Sequence, residues 1–190
     1  MITSKAARLV LFLITAFTGG YLLLLLAVPF LGFGWHLLHR SVIASNGCLI
    51  PVPSEFYVNG GAEQPTMWKH AFGIPLFKGP FGMIGIRPRS SGTNFNFAND
   101  FEGSSARMIA VARHEGLALR SQRTLSAATG KAFCFEFSKP MEKSDITVRC
   151  AIDDTPLLVI YGGDERFSPD FYAAVQGISR DGLKATASHP

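Results

Sequence analysis

Ala132-Phe133-Cys134-Phe135-Glu136-Phe137 and, after a break, Ile146-Thr147-Val148-Arg149-Cys150-Ala151-Ile152 carry the most legible pattern in the chain. Successive side chains of a strand point to opposite faces, so phenylalanine at every second position puts three rings on one side of an extended backbone. Both runs are rich in β-branched or aromatic residues, and Lys139-Pro140 interrupts the chain between them, which predicts two antiparallel strands. Outward from this pair lie two more strands, near Leu117 to Ser126 and Leu157 to Tyr161. Turn signals at Thr129-Gly130 and Asp153-Asp154-Thr155-Pro156 join them. Connections this short make an antiparallel meander.

Two registers compete in the central hairpin. One sets Cys134 opposite Cys150 and Lys139 opposite Asp145, but puts Phe137 against Thr147 and Phe135 against Arg149. The other, shifted by one, aligns Phe137 with Ile146, Phe135 with Val148 and Phe133 with Cys150, so that the apolar rows share a face. Burying three phenylalanines at about 1.5 to 3 kcal/mol each is comparable to the roughly 2 to 4 kcal/mol of a short-loop disulfide. Every side chain along a strand votes on its register, whereas a bulge could recover a single bridge. The expectation is therefore the apolar register and no direct Cys134–Cys150 bond. An oxidising compartment favours pairing and the cysteine count of three is odd, so Cys48 pairs with either or stays free.

Before the meander, Ser104 to Glu115 reads as a helix with Met108, Ile109, Ala112 and Ser105 on its inner face, capped by Ser104 or Ser105 and closed by Gly116. After it, Ser168-Pro169-Asp170 opens a last helix with Phe171, Ala174, Val175 and Ile178 inward and Gly182 at its end. Ile50-Pro51-Val52-Pro53 cannot be helical. Phe81 to Ile86, ending at Pro88, suits a strand near a sheet edge. Together these elements make an α+β sandwich, one domain over residues 48–182 with a tail over 183–190.

The N-terminus belongs to another solvent. Leu9 to Trp35 is a run of 27 residues without a charged side chain, about 40 Å as a helix against a hydrocarbon core of roughly 30 Å. Residues 9–35 are thus read as a single transmembrane helix in contact with the lipid bilayer, preceded by residues 1–8 and followed by a linker over 36–47. A cleaved signal peptide competes, since Val42-Ile43-Ala44 has suitable spacing, but its apolar region runs only about 7 to 15 residues. A lipoprotein would need a lipobox before Cys48, and Ser45-Asn46-Gly47 is not one. Lys5 and Arg8 outweigh Arg40, which keeps the N-terminus cytoplasmic and places the domain outside the cytoplasm, in the periplasm of a bacterium. Ala16 and Gly20 have the small-xxx-small spacing that permits a homodimer.

Charge argues against nucleic acid. Lys5, Arg8 and Arg40 account for most of the net +4, and the rest of the chain holds 15 cations against 14 acids, not the concentrated basic surface that phosphate binding needs. The order of elements resembles the PsbP-like superfamily of small α+β domains over residues 49 to 180. The likeness rests on Ile50-Pro51-Val52-Pro53, the helix ending at Gly116, Phe133 to Phe137, the Leu157 to Tyr161 strand before Gly162-Gly163, and Ser168-Pro169-Asp170-Phe171. It implies a fold shared with mostly accessory or binding proteins and no activity, and the chain departs from the lipoproteins of that group by carrying a helix in place of a lipobox.

No G-x-S-x-G elbow, phosphate cradle or calcium loop occurs. His36 and His39, one turn apart, could share a metal but lack further ligands; an interfacial position explains them as well. Asp153-Asp154 and Asp164-Glu165 read as solvated turns. In Thr93-Asn94-Phe95-Asn96-Phe97 alternation separates amides from rings, which suits a polar ligand or an outer strand face. Phe72, Leu76, Phe77, Phe81 and Met83, interleaved with glycines and prolines, make a candidate partner-binding segment. The leading reading is a membrane-anchored extracytoplasmic binding or accessory domain with no catalytic residues, metal or cofactor, and an envelope protein as partner. The alternatives are an enzyme whose groups converge only in three dimensions, near His70, Glu136 and Arg149 or at Asp164-Glu165-Arg166, and a subunit of an envelope complex.

Overall fold

The computed structural model describes residues 4–27, 31–61, 63–70, 81–89, 95–139, 144–153 and 155–180. Helix α1 (Ser4–Ala27) is long and apolar enough to cross a membrane or to be a signal sequence, and its Lys5–Leu23 window is wholly unburied. Within it the Thr15 and Thr18 hydroxyls donate to the carbonyls of Leu11 and Ile14, so neither asks for water. The described part of the uncharged run beyond α1 is helical too, as α2 (Leu31–Leu38). The stretch expected as a linker holds strand β1 (Val42–Ser45).

Among the described residues nine further strands follow: β2 (Cys48–Pro51), β3 (Tyr57–Asn59), β4 (Thr66–His70), β5 (Phe81–Pro88), β6 (Ala118–Ala127), β7 (Gly130–Ser138), β8 (Asp145–Ile152), β9 (Leu157–Asp164) and β10 (Ser179–Arg180). Seven of them form one antiparallel sheet in the order β3-β4-β5-β9-β8-β7-β6, and β1, β2 and β10 form a small second sheet. Beyond β5 the chain passes through α3 (Phe101–His114) to the far edge and returns strand by strand until β9 closes against β5. The meander is as the turns predicted. Strand β5, expected near an edge, is interior, because Pro88 lies at its last position and a missing N–H there breaks no ladder.

At its centre, in β7 and β8, the sheet is buried on both faces. One face carries Met67, Ile84, Ile86, Val148, Cys150, Ile152, Val159 and Tyr161 beneath α4 (Ser168–Gln176) and the small sheet. The other carries Phe135, Phe137, Ala151 and the half-buried Phe133 beneath α3 and the rings of Phe95 and Phe97. This corrects the register. Cys134 stands opposite Cys150, Phe135 opposite Arg149 and Phe137 opposite Thr147, and the two cysteines form a disulfide. The expectation assumed one dry face, whereas with two dry faces the phenylalanines and the aliphatic row of β8 can lie on opposite sides and both be buried. Arg149, placed among rings, is neutralised by Glu115 at the end of α3 and lies 5.8 Å from the Phe137 ring centroid. Cys48 is free and buried.

The helices begin and end differently from the expectation. Helix α3 starts three residues earlier, with Asp100 accepting from the Gly103 amide, while Ser104 and Ser105 are buried inside it. Helix α4 has its proline in the first turn, but Phe167 is the capping position and no side chain caps it. A single 3-10 turn (Glu165–Phe167) precedes it, with Asp164 accepting from Arg166. It ends at Gly177 rather than Gly182, since Ile178 must turn into the core and β10 then pairs with β2. Strand β9 runs through Gly163, whose φ of 138° and whose approach to the Phe81 carbonyl leave no room for a side chain.

Candidate functional site

Strand β6 is ten residues long and pairs only with β7 among the described residues. Its sequence, Ala118-Leu119-Arg120-Ser121-Gln122-Arg123-Thr124-Leu125-Ser126-Ala127, has no acid and five consecutive polar residues. That composition suits a strand wetted on its outer side. The register slips between Leu119 and Ser121, leaving Arg120 as an extra residue. A bulge re-aims the side chain it carries. The Arg120 guanidinium reaches both carboxylate oxygens of Glu165, at 3.0 and 3.3 Å, and lies 3.5 Å from Glu136.

Glu136 is the buried centre of this edge. Arg123 donates to it at 3.2 Å, as does the Tyr172 hydroxyl, and the Arg123 guanidinium sits 4.5 Å from the Tyr172 ring centroid. Burial pushes the Tyr172 phenol up to about 12; Arg123 pulls against that shift and Glu136 adds to it. Every charge here is answered by another, and the arrangement ties the start of α4 to the sheet edge.

On the opposite face of the same edge, β6 and the first turn of α3 enclose a half-open pocket of about 240 Å³ lined by Phe101, Phe133 and Phe135 with Gln122, Arg123, Thr124 and Cys134. Its floor is a set of touching rings: Phe133 lies 5.1 Å from Phe97 and 5.5 Å from Phe101, and Phe97 lies 5.6 Å from Phe135. Gln122 and Thr124, opposite Phe135 and Phe133 in the register, form a polar wall. The arrangement can seat one apolar side chain beside a row of strand-edge amides and carbonyls, which is the geometry of strand addition.

The residues singled out from sequence fall elsewhere. Phe72, Leu76 and Phe77 lie outside the described residues. Phe81 and Met83 are half-buried in β5, Phe81 tilted against Trp68 at 6.5 Å and Met83 directly across from Trp68. Glu136 and Arg149 point to opposite faces of the sheet, and His70 lies on β4 with three strands between it and β7, so that trio is not brought together. Asp164 and Arg166 hold each other in a forked pair, and this hydrogen bonding keeps the Asp164 carboxyl below the usual carboxylate range. Phe95 and Phe97 are buried and Asn96 faces outward, but residues 95–99 form a loop and turn and not a strand, and Thr93 and Asn94 lie outside the described residues.

His36 and His39 are engaged locally: His36 Nε2 is 2.9 Å from the Pro53 carbonyl oxygen, and the His39 ring stacks on Trp35. Lys69, nearly buried, pairs with Glu55 and with Asp170 at 2.9 Å. Burial lowers its pKa, but the two hydrogen bonds together outweigh this and hold it above the usual lysine value. The pocket beside β6 escaped the reading of the sequence, although its signal, the unbroken polar run Arg120 to Thr124 inside a strand, is present. No family model matches the chain, and no curated protein is significantly similar to it.

Proposed function

We propose that the chain is a single-pass membrane protein whose extracytoplasmic domain binds an envelope partner without catalysing a reaction, taking an extended segment of that partner along β6. The aromatic pocket opening beside the outer edge of β6 carries this reading, because it offers both halves of strand recognition: backbone groups for affinity and a socket for one apolar side chain. The anchor rests on α1, whose surface is apolar and unburied, and the outward orientation on Lys5 and Arg8 against Arg40. The likeness to PsbP-like domains is proposed at the level of the fold and is supported by the meander and its two helical layers. Ala16 and Gly20 lie on α1, Gly20 with open space around it, and would let two copies approach there.

A photo-crosslinking residue in place of Gln122 or Thr124, in full-length protein in native membranes, tests the groove. A protein adduct at both positions and none from the exposed Glu63 supports it. Equal labelling at Glu63, or only lipid captured at 122 and 124, removes it. A turnover abolished by Glu136→Gln would sink the non-catalytic reading.

A further inference from the structure

We infer that α2 is a foot lying in the membrane interface, with one side locked to the domain and the other in contact with lipid, so that the domain is seated on the bilayer and does not swing on a linker. The inference rests on α1 being a membrane span. Its structural basis is the division of α2 into two faces. The 3.6-residue period puts Gly32, Trp35 and His36 on one side and Phe33, Leu37 and Leu38 on the other. The first side meets the domain. Gly32 is buried against the backbone of Glu55, where a Cβ would strike the carbonyl oxygen; Trp35 packs against the main core. The ring nitrogens of His36 lie 2.9 Å from the Pro53 carbonyl oxygen and 3.2 Å from the Ser41 hydroxyl.

Among the described residues the second side has no cover: Phe33, Leu37 and Leu38 are 62%, 70% and 83% exposed. An exposed apolar face of this kind on a docked helix calls for a partner. Chain length identifies lipid as that partner. From Leu9 to Ala27 the uncharged part of α1 covers about 28 Å, close to the thickness of the hydrocarbon core, so Ala27 emerges at the far boundary. The four peptide units from Ala27 to Leu31 reach at most about 14 Å, which keeps α2 at the headgroup level. Arg40 follows immediately, as a cation at the boundary does.

The test uses full-length protein in nanodiscs of phosphatidylcholine and phosphatidylglycerol, in a Cys48→Ser background, with a nitroxide at Leu38→Cys, Phe17→Cys or Ser126→Cys. Collision with oxygen, which partitions into lipid, is compared with collision with a water-soluble nickel chelate. The expected result is oxygen-dominated collision at 38 as at 17, and nickel-dominated collision at 126. Position 38 matching 126 while 17 stays oxygen-dominated overturns the foot alone; 17 matching 126 overturns the membrane span beneath it. Spin–spin broadening at 38 that vanishes on dilution with unlabelled chain would mean that a second copy, not lipid, covers this face, and also overturns the proposal. Gly32→Leu, which must unseat α2 from Glu55, is expected to raise nitroxide mobility at 126 relative to the membrane while leaving 17 unchanged; no change at 126 argues against a rigid seat.

Discussion

The two faces of the seven-stranded sheet solve the same burial problem with different materials. Beneath α4 and the small sheet the strands contribute mainly aliphatic side chains, Ile84, Ile86, Val148, Ile152 and Val159 with the disulfide among them, and the rings of Tyr161, Phe56 and Phe171 complete the layer. Beneath α3 it is aromatic, built from Phe95, Phe97, Phe135 and Phe137, and it accommodates one cation, Arg149. Aliphatic side chains fill a wide, even layer under a second sheet. Rings reach further and cover the narrower contact that a single helix makes, and their faces accept cations on both sides of the sheet, Arg149 near Phe137 beneath α3 and Lys69 near Phe167 on the other side. The aromatic layer also opens at its edge into the pocket beside β6, whereas the aliphatic layer is sealed there by Glu136, Tyr172 and two arginines.

The most severe way to break the comparison is to remove a ring. Phe137→Ala, fully buried, is expected to cost about 3 to 5 kcal/mol in denaturant unfolding of the detergent-solubilised chain. A loss below 1 kcal/mol would mean that α3 is a lid and that the sheet has one true core. Next comes the disulfide: replacing Cys134 and Cys150 together by alanine should cost about 2 to 4 kcal/mol. Non-reducing peptide mapping should recover the two cysteines in one linked fragment with Cys48 free, and a Cys48 linkage would contradict the register.

A smaller effect sharpens the contrast between the layers. Glu115→Ala leaves Arg149 nearly buried and unpaired and should cost about 1 to 3 kcal/mol. Arg149→Leu, which puts an apolar side chain among rings, should be the milder of the two. The reverse ranking would mean that the cation, not the rings, organises that face. The smallest effect is alkaline. The folded pKa of Tyr172 lies above its unfolded value, so the buried phenol's contribution is intact below about pH 10 and is lost as pH rises toward about 12. Tyr172→Phe should flatten that part of the stability–pH curve relative to the parent, and an unchanged slope would place the loss at Lys69 or elsewhere.

Much of the meander was readable because its information is local. Phe133, Phe135 and Phe137 alternate, Thr129-Gly130 turns, and strands with such short connections pair with their neighbours. The inner stripe of α4 was equally plain, since Phe171, Ala174 and Val175 recur at helical spacing and are all buried. What could not be read was anything set by a partner distant in sequence. Arg149 looked like a reason to reject its register, because its answering carboxylate, Glu115, lies 34 residues away. The pocket beside β6 depends on Phe101 meeting Phe133 from another element, and neither residue announces the other.

Periodicity and composition therefore settle, from the chain alone, that an apolar helix precedes an α+β domain with an antiparallel meander and two covering helices, since each of those patterns is written within a few adjacent residues. The register of the central hairpin, the Cys134–Cys150 bond, the interior position of β5 and the docking of α2 through Gly32 were decided only by tertiary structure. Locally, each strand accepts either register at similar energy. The choice falls to the layers that close over the sheet, and a sheet buried on both sides removes the one-face rule by which pattern alone would choose.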